Sequence, residues 1–222
     1  MNIIRNIQEI REHVPKDVKL ICVTKFHPEA TIMEAYKAGE RNFGESRVQE
    51  LIAKQPNLPD DIRWHFIGHL QTNKIKFIAD FVSLIHGVDS LRVLKAINRE
   101  AEKAGRMIEC LLQIHIADEQ TKFGLTVNEL KALLEDDEFL SLKNVKIAGL
   151  MGMATFTDDR EQVRGEFRFL KSLFDEIKQN YFSEEESFCE LSMGMSEDYK
   201  IAIEEGSTMI RIGTAIFGER EY

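Results

Sequence analysis

The sequence predicts a single (β/α)₈ TIM-type barrel spanning residues 1–222. Three observations lead there. Eight short apolar runs alternate with segments that carry helix signals, and the runs lack the polar alternation of half-buried strands. A chain of 222 residues also lies near the lower end of the size range for one closed parallel barrel. An open, doubly wound sheet is the runner-up architecture.

The predicted strands cover residues 19–26, 42–44, 64–68, 81–87, 108–116, 146–153, 188–192 and 209–212. After the first, Pro28 occupies a first helical position and Gly39 marks the stop. Ser90 precedes Leu91, Leu94 and Ile97, which share one helical face. Thr126-Val127-Asn128-Glu129 fits a capping box, with Leu130, Leu133 and Leu134 following on one face. Ser196, with Glu197 and Asp198 in the first turn, opens a further helix that Gly206 closes. Asp118-Glu119-Gln120-Thr121-Lys122 reads as a strand-end loop.

Composition narrows the partners. Hydrophobic residues make up 43% and charged residues 30%, the balance of a soluble globular protein. A net charge of −9 argues against nucleic acid or an anionic membrane surface, both of which select clustered Lys and Arg. It leaves room for a locally positive pocket that takes a small anion. No run approaches the ~18 apolar residues of a membrane-spanning helix, and the first residues lack the apolar core of a signal peptide. Cys22, Cys110 and Cys189 are odd in number and widely spaced, which reads as buried reduced thiols in the reducing cytoplasm. No metal site is expected. His65 and His69 on one strand lie ~13 Å apart, and the Glu of a metalloprotease helix motif is missing. His65 reads as a barrel or pocket residue.

Lys25 ends the apolar run Leu20-Ile21-Cys22-Val23-Thr24, just before a turn. In such barrels the carboxyl ends of the strands form the active face. Desolvation there disfavours the ammonium form, and a neutral amine attacks carbonyls. At the other end of the chain, Leu191–Ser196 follows the seventh strand, and Gly213–Gly218 follows the eighth. Barrels of this kind often hold phosphate in those two loops. Ser192, Ser196 and Thr214 supply hydroxyls, and Gly213 permits close backbone approach. A plain N-cap for Ser196 and a turn role for Gly213 stay open as alternatives. A ligand with an aldehyde and a phosphate would satisfy both ends, and pyridoxal 5′-phosphate (PLP) is such a molecule. A sugar phosphate attacked by Lys25, as in a class I aldolase-like enzyme, is the alternative outside PLP chemistry.

The chain resembles the pyridoxal phosphate homeostasis protein family, itself similar to the N-terminal barrel of bacterial alanine racemases. The resemblance is carried by Val23-Thr24-Lys25, Asn42-Phe43-Gly44-Glu45, Trp64–Gly68, Leu70–Lys74, Gly149-Leu150-Met151, Leu191–Ser196 and, most specifically, Gly206–Gly218. It implies a barrel of the alanine racemase N-terminal-domain type. It also implies that Lys25 bears PLP as a Schiff base, that Ser192, Ser196, Gly213 and Thr214 hold the phosphate, and that Arg211 faces the pyridine nitrogen. The family often has Asn where Ser46 stands, so Ser46 is given no role. A permanently charged Arg disfavours a pyridinium and makes the ring a weaker electron sink.

In the racemases the second proton-transfer group is a tyrosine of an additional C-terminal β-domain, for which 222 residues are expected to leave no room. Tyr36, Tyr181 and Tyr199 fall in predicted helices or a helix-end loop. The resemblance therefore implies a PLP-binding protein of PLP homeostasis that releases the cofactor by transaldimination to amino acids or apo-enzymes. A single-domain PLP-dependent amino-acid racemase is the alternative, and robust turnover is not expected. A monomer or weak dimer is anticipated.

Overall fold

Each apolar run becomes a strand, and the eight strands close in chain order into a parallel barrel. This is a computed structural model describing residues 2–118 and 123–218. Helix α1 (Ile3–Arg11) precedes β1 (Lys19–Val23), and α2 (Glu29–Lys37) leads to β2 (Asn42–Glu45). Then come α3 (Val48–Lys54), β3 (Arg63–Phe66), β4 (Leu84–Val88) and α4 (Leu91–Lys103). Strand β5 (Ile108–Ile114) is followed by α5 (Val127–Leu134) and α6 (Asp137–Leu140). The barrel finishes with β6 (Val145–Gly152), α7 (Arg160–Tyr181), β7 (Glu190–Ser192), α8 (Tyr199–Glu204), β8 (Met209–Ile212) and α9 (Thr214–Phe217). Closure pairs β1 with β8, Ile21 opposite Arg211 and Cys22 opposite Ile212.

Two apolar layers hold the wall. Inside, Ile21, Leu84, Leu111, Ala148, Met151 and Met209 form a small buried cluster. Outside, Leu20 and Ile85 alternate with Ile21 and Leu84 along β1 and β4, and Phe43 and Phe66 are buried on β2 and β3. They pack in the larger core with Ile32, Leu51, Leu94 and Phe167 from the helices. Each such side chain contributes roughly 1.5–3 kcal/mol on burial. The capping box at Thr126 and Glu129 forms as predicted, with both reciprocal bonds made.

Four local expectations are corrected. The first strand ends at Val23, because Phe26 adopts φ 68 and turns the chain just past Lys25. The fourth starts at Leu84, three residues late. A helical turn returns the Phe81 and Val82 N–H groups to the Ile78 carbonyl, and these two apolar residues before Ser83 read as strand. Ser90 precedes α4 in extended conformation, but its hydroxyl makes no capping bond. Helix α8 begins at Tyr199, because residues 196–198 form a separate turn. There the Asp198 carboxylate accepts from the Met195 N–H.

Among the described residues no helix is long and apolar enough to cross a membrane. No group of three or more His, Cys, Asp and Glu there could hold a metal ion. Cys22 and Cys110 are free and buried as expected, whereas Cys189 is free but exposed, against the expectation of a buried thiol.

Candidate functional site

The barrel opens at the carboxyl ends of its strands into a cavity of about 480 Å³, a volume that suits a small cofactor. Val23 and Lys25 reach it from β1 and the turn beyond, Ser46 from the end of β2, and Ile67 from β3. Met153–Phe156 follow β6, Met195–Asp198 follow β7, and Arg211, Gly213 and Thr214 come from β8 and its loop. Lys25, Ser196, Arg211, Gly213 and Thr214 therefore line one space. The amine and the two loops meet because β1 and β8 are neighbours only once the sheet closes.

Ser196 does not cap a helix. Its hydroxyl oxygen accepts from the backbone N–H groups of Gly213 and Ala215, each at 3.4 Å. These are long bonds that draw the loops after β7 and β8 together.

Ser192 stands apart from the other expected site residues. It is fully buried, does not line the cavity, and belongs to a hydrogen-bonded chain through the barrel interior. Arg211 Nη1 donates to Ser192 Oγ at 2.6 Å, and Nη2 donates to the Gly152 carbonyl at 3.1 Å. Ser192 Oγ is 3.0 Å from His86 Nδ1, and His86 Nε2 is 3.0 Å from His65 Nδ1. His65 Nε2 lies 3.3 Å from Asn42 Oδ1. A guanidinium only donates, so the directions follow one another. Ser192 O–H donates to His86, His86 Nε2–H to His65, and His65 Nε2–H to Asn42. All four ring nitrogens and the Ser192 hydroxyl thus have partners, and both Nη atoms of Arg211 are held beneath the cavity. Sequence reasoning placed His65 inside the barrel but missed His86. Its only signal was a polar residue in the middle of an apolar run.

Electrostatics match this chain. Burial lowers Arg211 to about 10, with Asp198 pulling the other way, so it stays positive at neutral pH. Burial holds His65 down to about 3, aided by Lys19 and Arg63. Burial also pushes His86 well below its ordinary value, aided by His65 and Arg211. Both rings are neutral in the fold, while in the unfolded chain they take up protons near pH 6.5. Below that value the unfolded state binds more protons, so stability falls as pH drops. The expected slope is about 1.4 kcal/mol per pH unit for each histidine. Urea midpoints measured from about pH 7 to about pH 5 should fall steadily, and a flat profile would contradict the neutral pair.

The other histidines lie elsewhere. His69 stacks on Phe123 at 4.5 Å and faces Asp89, and the His27 ring lies 5.1 Å from Phe217. Of the loop after β5, residues 119–122 lie outside the described residues. Ser46, left without a role by sequence, does line the cavity.

Comparison with known proteins now bears on the cavity. The family model for "Alanine racemase, N-terminal domain" matches residues 1–221. The pyridoxal phosphate homeostasis protein of Synechocystis sp. is 43% identical over 217 residues, 96% of each chain. That of Aquifex aeolicus is 42% identical over 205 residues, 92% of this chain and 88% of its own. This chain belongs to the pyridoxal phosphate homeostasis protein family. A solved relative in the same fold is PipY of Synechococcus elongatus PCC7942 with PLP bound. It is 37% identical, has a TM-score of 0.88, and matches 97% of this chain and all of its own. An alanine racemase of Clostridium difficile 630 shares the fold at a TM-score of 0.78 and 16% identity, with 57% of its length matched. For this family member the barrel is thus the shared frame.

Proposed function

We propose that this chain binds PLP with Lys25 as its covalent anchor and gives it up to incoming amines, in the service of PLP homeostasis. The observation that carries the reading is that Lys25 and the Ser196, Gly213 and Thr214 loops line one cavity above Arg211. PipY, a relative solved with PLP bound, supports it.

The donor set fits the group. Lys25 offers a primary amine, Ser196 and Thr214 offer hydroxyls, and the Gly213 and Ala215 N–H groups point into the same loop junction. Gly213 has φ −116, and a Cβ there would meet the Val23 carbonyl at an ordinary 3.4 Å. Glycine leaves the place of that Cβ, against Val23, unfilled at the cavity lining. Bound there, PLP supplies an aldehyde carbon that condenses reversibly with primary amines. Lys25 would hold that carbon, the two loops would hold the phosphate, and Arg211 would stand toward the ring nitrogen. A positive guanidinium at that nitrogen discourages its protonation and weakens the ring as an electron sink.

Holding and release suit this lining better than racemisation, which needs a proton-transfer group on each face of the substrate. The ionisable lining residues are Lys25, Glu197, Asp198 and Arg211. The Asp198 carboxylate already accepts the Met195 N–H. The Tyr36 and Tyr181 hydroxyls bond exposed carboxylates, those of Asp61 and Glu135. We infer a cytoplasmic monomer or weak dimer, with free amino acids and apo-enzymes as recipients.

The test is to add PLP to the purified protein, reduce with borohydride and map the labelled peptide. The pyridoxyl label is expected on Lys25, and an added amino acid should displace the chromophore before reduction. Label scattered over surface lysines would overturn the reading. In heavy water, α-proton exchange of alanine no faster than with free PLP is expected. Rapid exchange would favour the racemase.

A further inference from the structure

Behind Lys25, between the barrel wall and α3, lies a buried polar cluster with no place in the cavity. The Lys54 side chain, 10% exposed, donates from Nζ to the Thr24 carbonyl at 2.9 Å and to Glu45 Oε1 at 2.7 Å. Glu50 Oε2 lies 3.4 Å from the same nitrogen and accepts the Phe26 N–H at 2.8 Å. Thr24 Oγ1 donates to Glu45 Oε1 at 2.7 Å.

The carbonyl of residue 24 and the N–H of residue 26 belong to the two peptide units that flank Lys25. Both are held by side chains of one helix, α3. The turn between them is strained, since Phe26 at φ 68 occupies a region that L-residues with a Cβ avoid. The Arg47 guanidinium lies 4.5 Å over the Phe26 ring and 3.8 Å from Glu50.

A buried ion cluster is a poor source of net stability, because desolvation offsets most of its attraction. Here Glu45 Oε2 is buried with no hydrogen-bond partner among the described residues, a further cost. What the cluster supplies is geometry: it fixes the backbone on both sides of Lys25 and so fixes where that side chain leaves the wall.

We propose that Glu50 and Lys54 are positioning residues for Lys25, clamping its two flanking peptide units so that the amine is presented to the cavity. The proposal rests on the reading of Lys25 as the residue that bears PLP. It goes beyond that reading by assigning work to residues that do not touch the ligand.

The experiment compares wild type, Glu50→Ala and Glu50→Gln in full-length protein. Three quantities are measured: the rate of borohydride-trapped labelling by PLP, the affinity for pyridoxine 5′-phosphate, and the thermal midpoint without ligand. Pyridoxine 5′-phosphate keeps the ring and phosphate but lacks the aldehyde, so it reports the cavity without Lys25 chemistry. Glu50→Ala is expected to slow labelling about tenfold or more, since a lost bond to a charged acceptor is worth that much. Glutamine still accepts the Phe26 N–H and should recover labelling to within about threefold. Affinity for pyridoxine 5′-phosphate should stay within about twofold in both variants.

Wild-type labelling rates in Glu50→Ala would overturn the clamp. Equal losses for both ligands together with a lower thermal midpoint would also overturn it, by showing a general packing role. A wild-type protein that takes no label on residue 25 would instead sink the Lys25 reading, and the clamp with it.

Discussion

Lys25→Ala is expected to abolish borohydride-fixed labelling by PLP and to weaken retention of the cofactor at least about a hundredfold, because a held amine acts at a very high effective concentration. The loops after β7 and β8 keep their donors in this variant, so a weak, dialysable complex should remain. The lysine is half-buried just past the end of β1 and contributes little to either apolar layer. Its truncation should therefore change unfolding free energy by no more than about 1 kcal/mol. Equilibrium dialysis, reduction with peptide mapping, and a urea titration check the three parts separately. Undiminished labelling at another lysine would remove Lys25 from its proposed role. Lys54 is the informative comparison, being nearby yet engaged by Glu45 and the Thr24 carbonyl.

How much of this was legible in the sequence depends on the distance over which each signal acts. Strands were legible because burial on both faces writes itself locally as an apolar run, and all eight appear. Their ends were less so, since an apolar helical turn before β4 looks like more strand. Lys25, Ser196, Gly213 and Thr214 could be placed together from strand-end position and strand count, while Arg211 came from the family resemblance. Ser192 could not. Its place one strand before the loop suggested the phosphate, but strand alternation turns it into the barrel interior toward His86 and Arg211. That interior chain joins residues of β2, β3, β4, β7 and β8, and only the stagger of the closed barrel decides which of them meet. The clamp on Lys25 was hidden for the same reason. Glu50 and Lys54 pair at i, i+4 on α3, and only the docking of that helix behind β1 brings them to the peptide units beside Lys25.

Gly149→Ala is expected to be the most damaging single substitution for stability. Strand β6 carries a bulge against β5. Cys110 pairs with Ile147 and Leu111 with Gly149, leaving Ala148 as the extra residue. The bulge puts Gly149 at φ 152 and brings its backbone against β7, where it pairs with Glu190. A Cβ added there would stand 1.8 Å from the Glu190 carbonyl oxygen, a backbone atom that cannot rotate away. The strand pair must separate or the bulge must rearrange, and either disturbs the wall that carries Ser192 and the loop after β7. A loss of more than about 3 kcal/mol, or failure to fold, is expected from a forced backbone conformation together with overpacking. The control is Gly165→Ala in α7, where a Cβ meets nothing within 4 Å. There alanine should stabilise by roughly 0.5–1 kcal/mol through helix propensity. Urea midpoints of the two variants should thus move in opposite directions. If both moved together by small amounts, the bulge at Gly149 would not be holding β6 against β7 as described, and the register beneath the candidate phosphate loop would need another explanation.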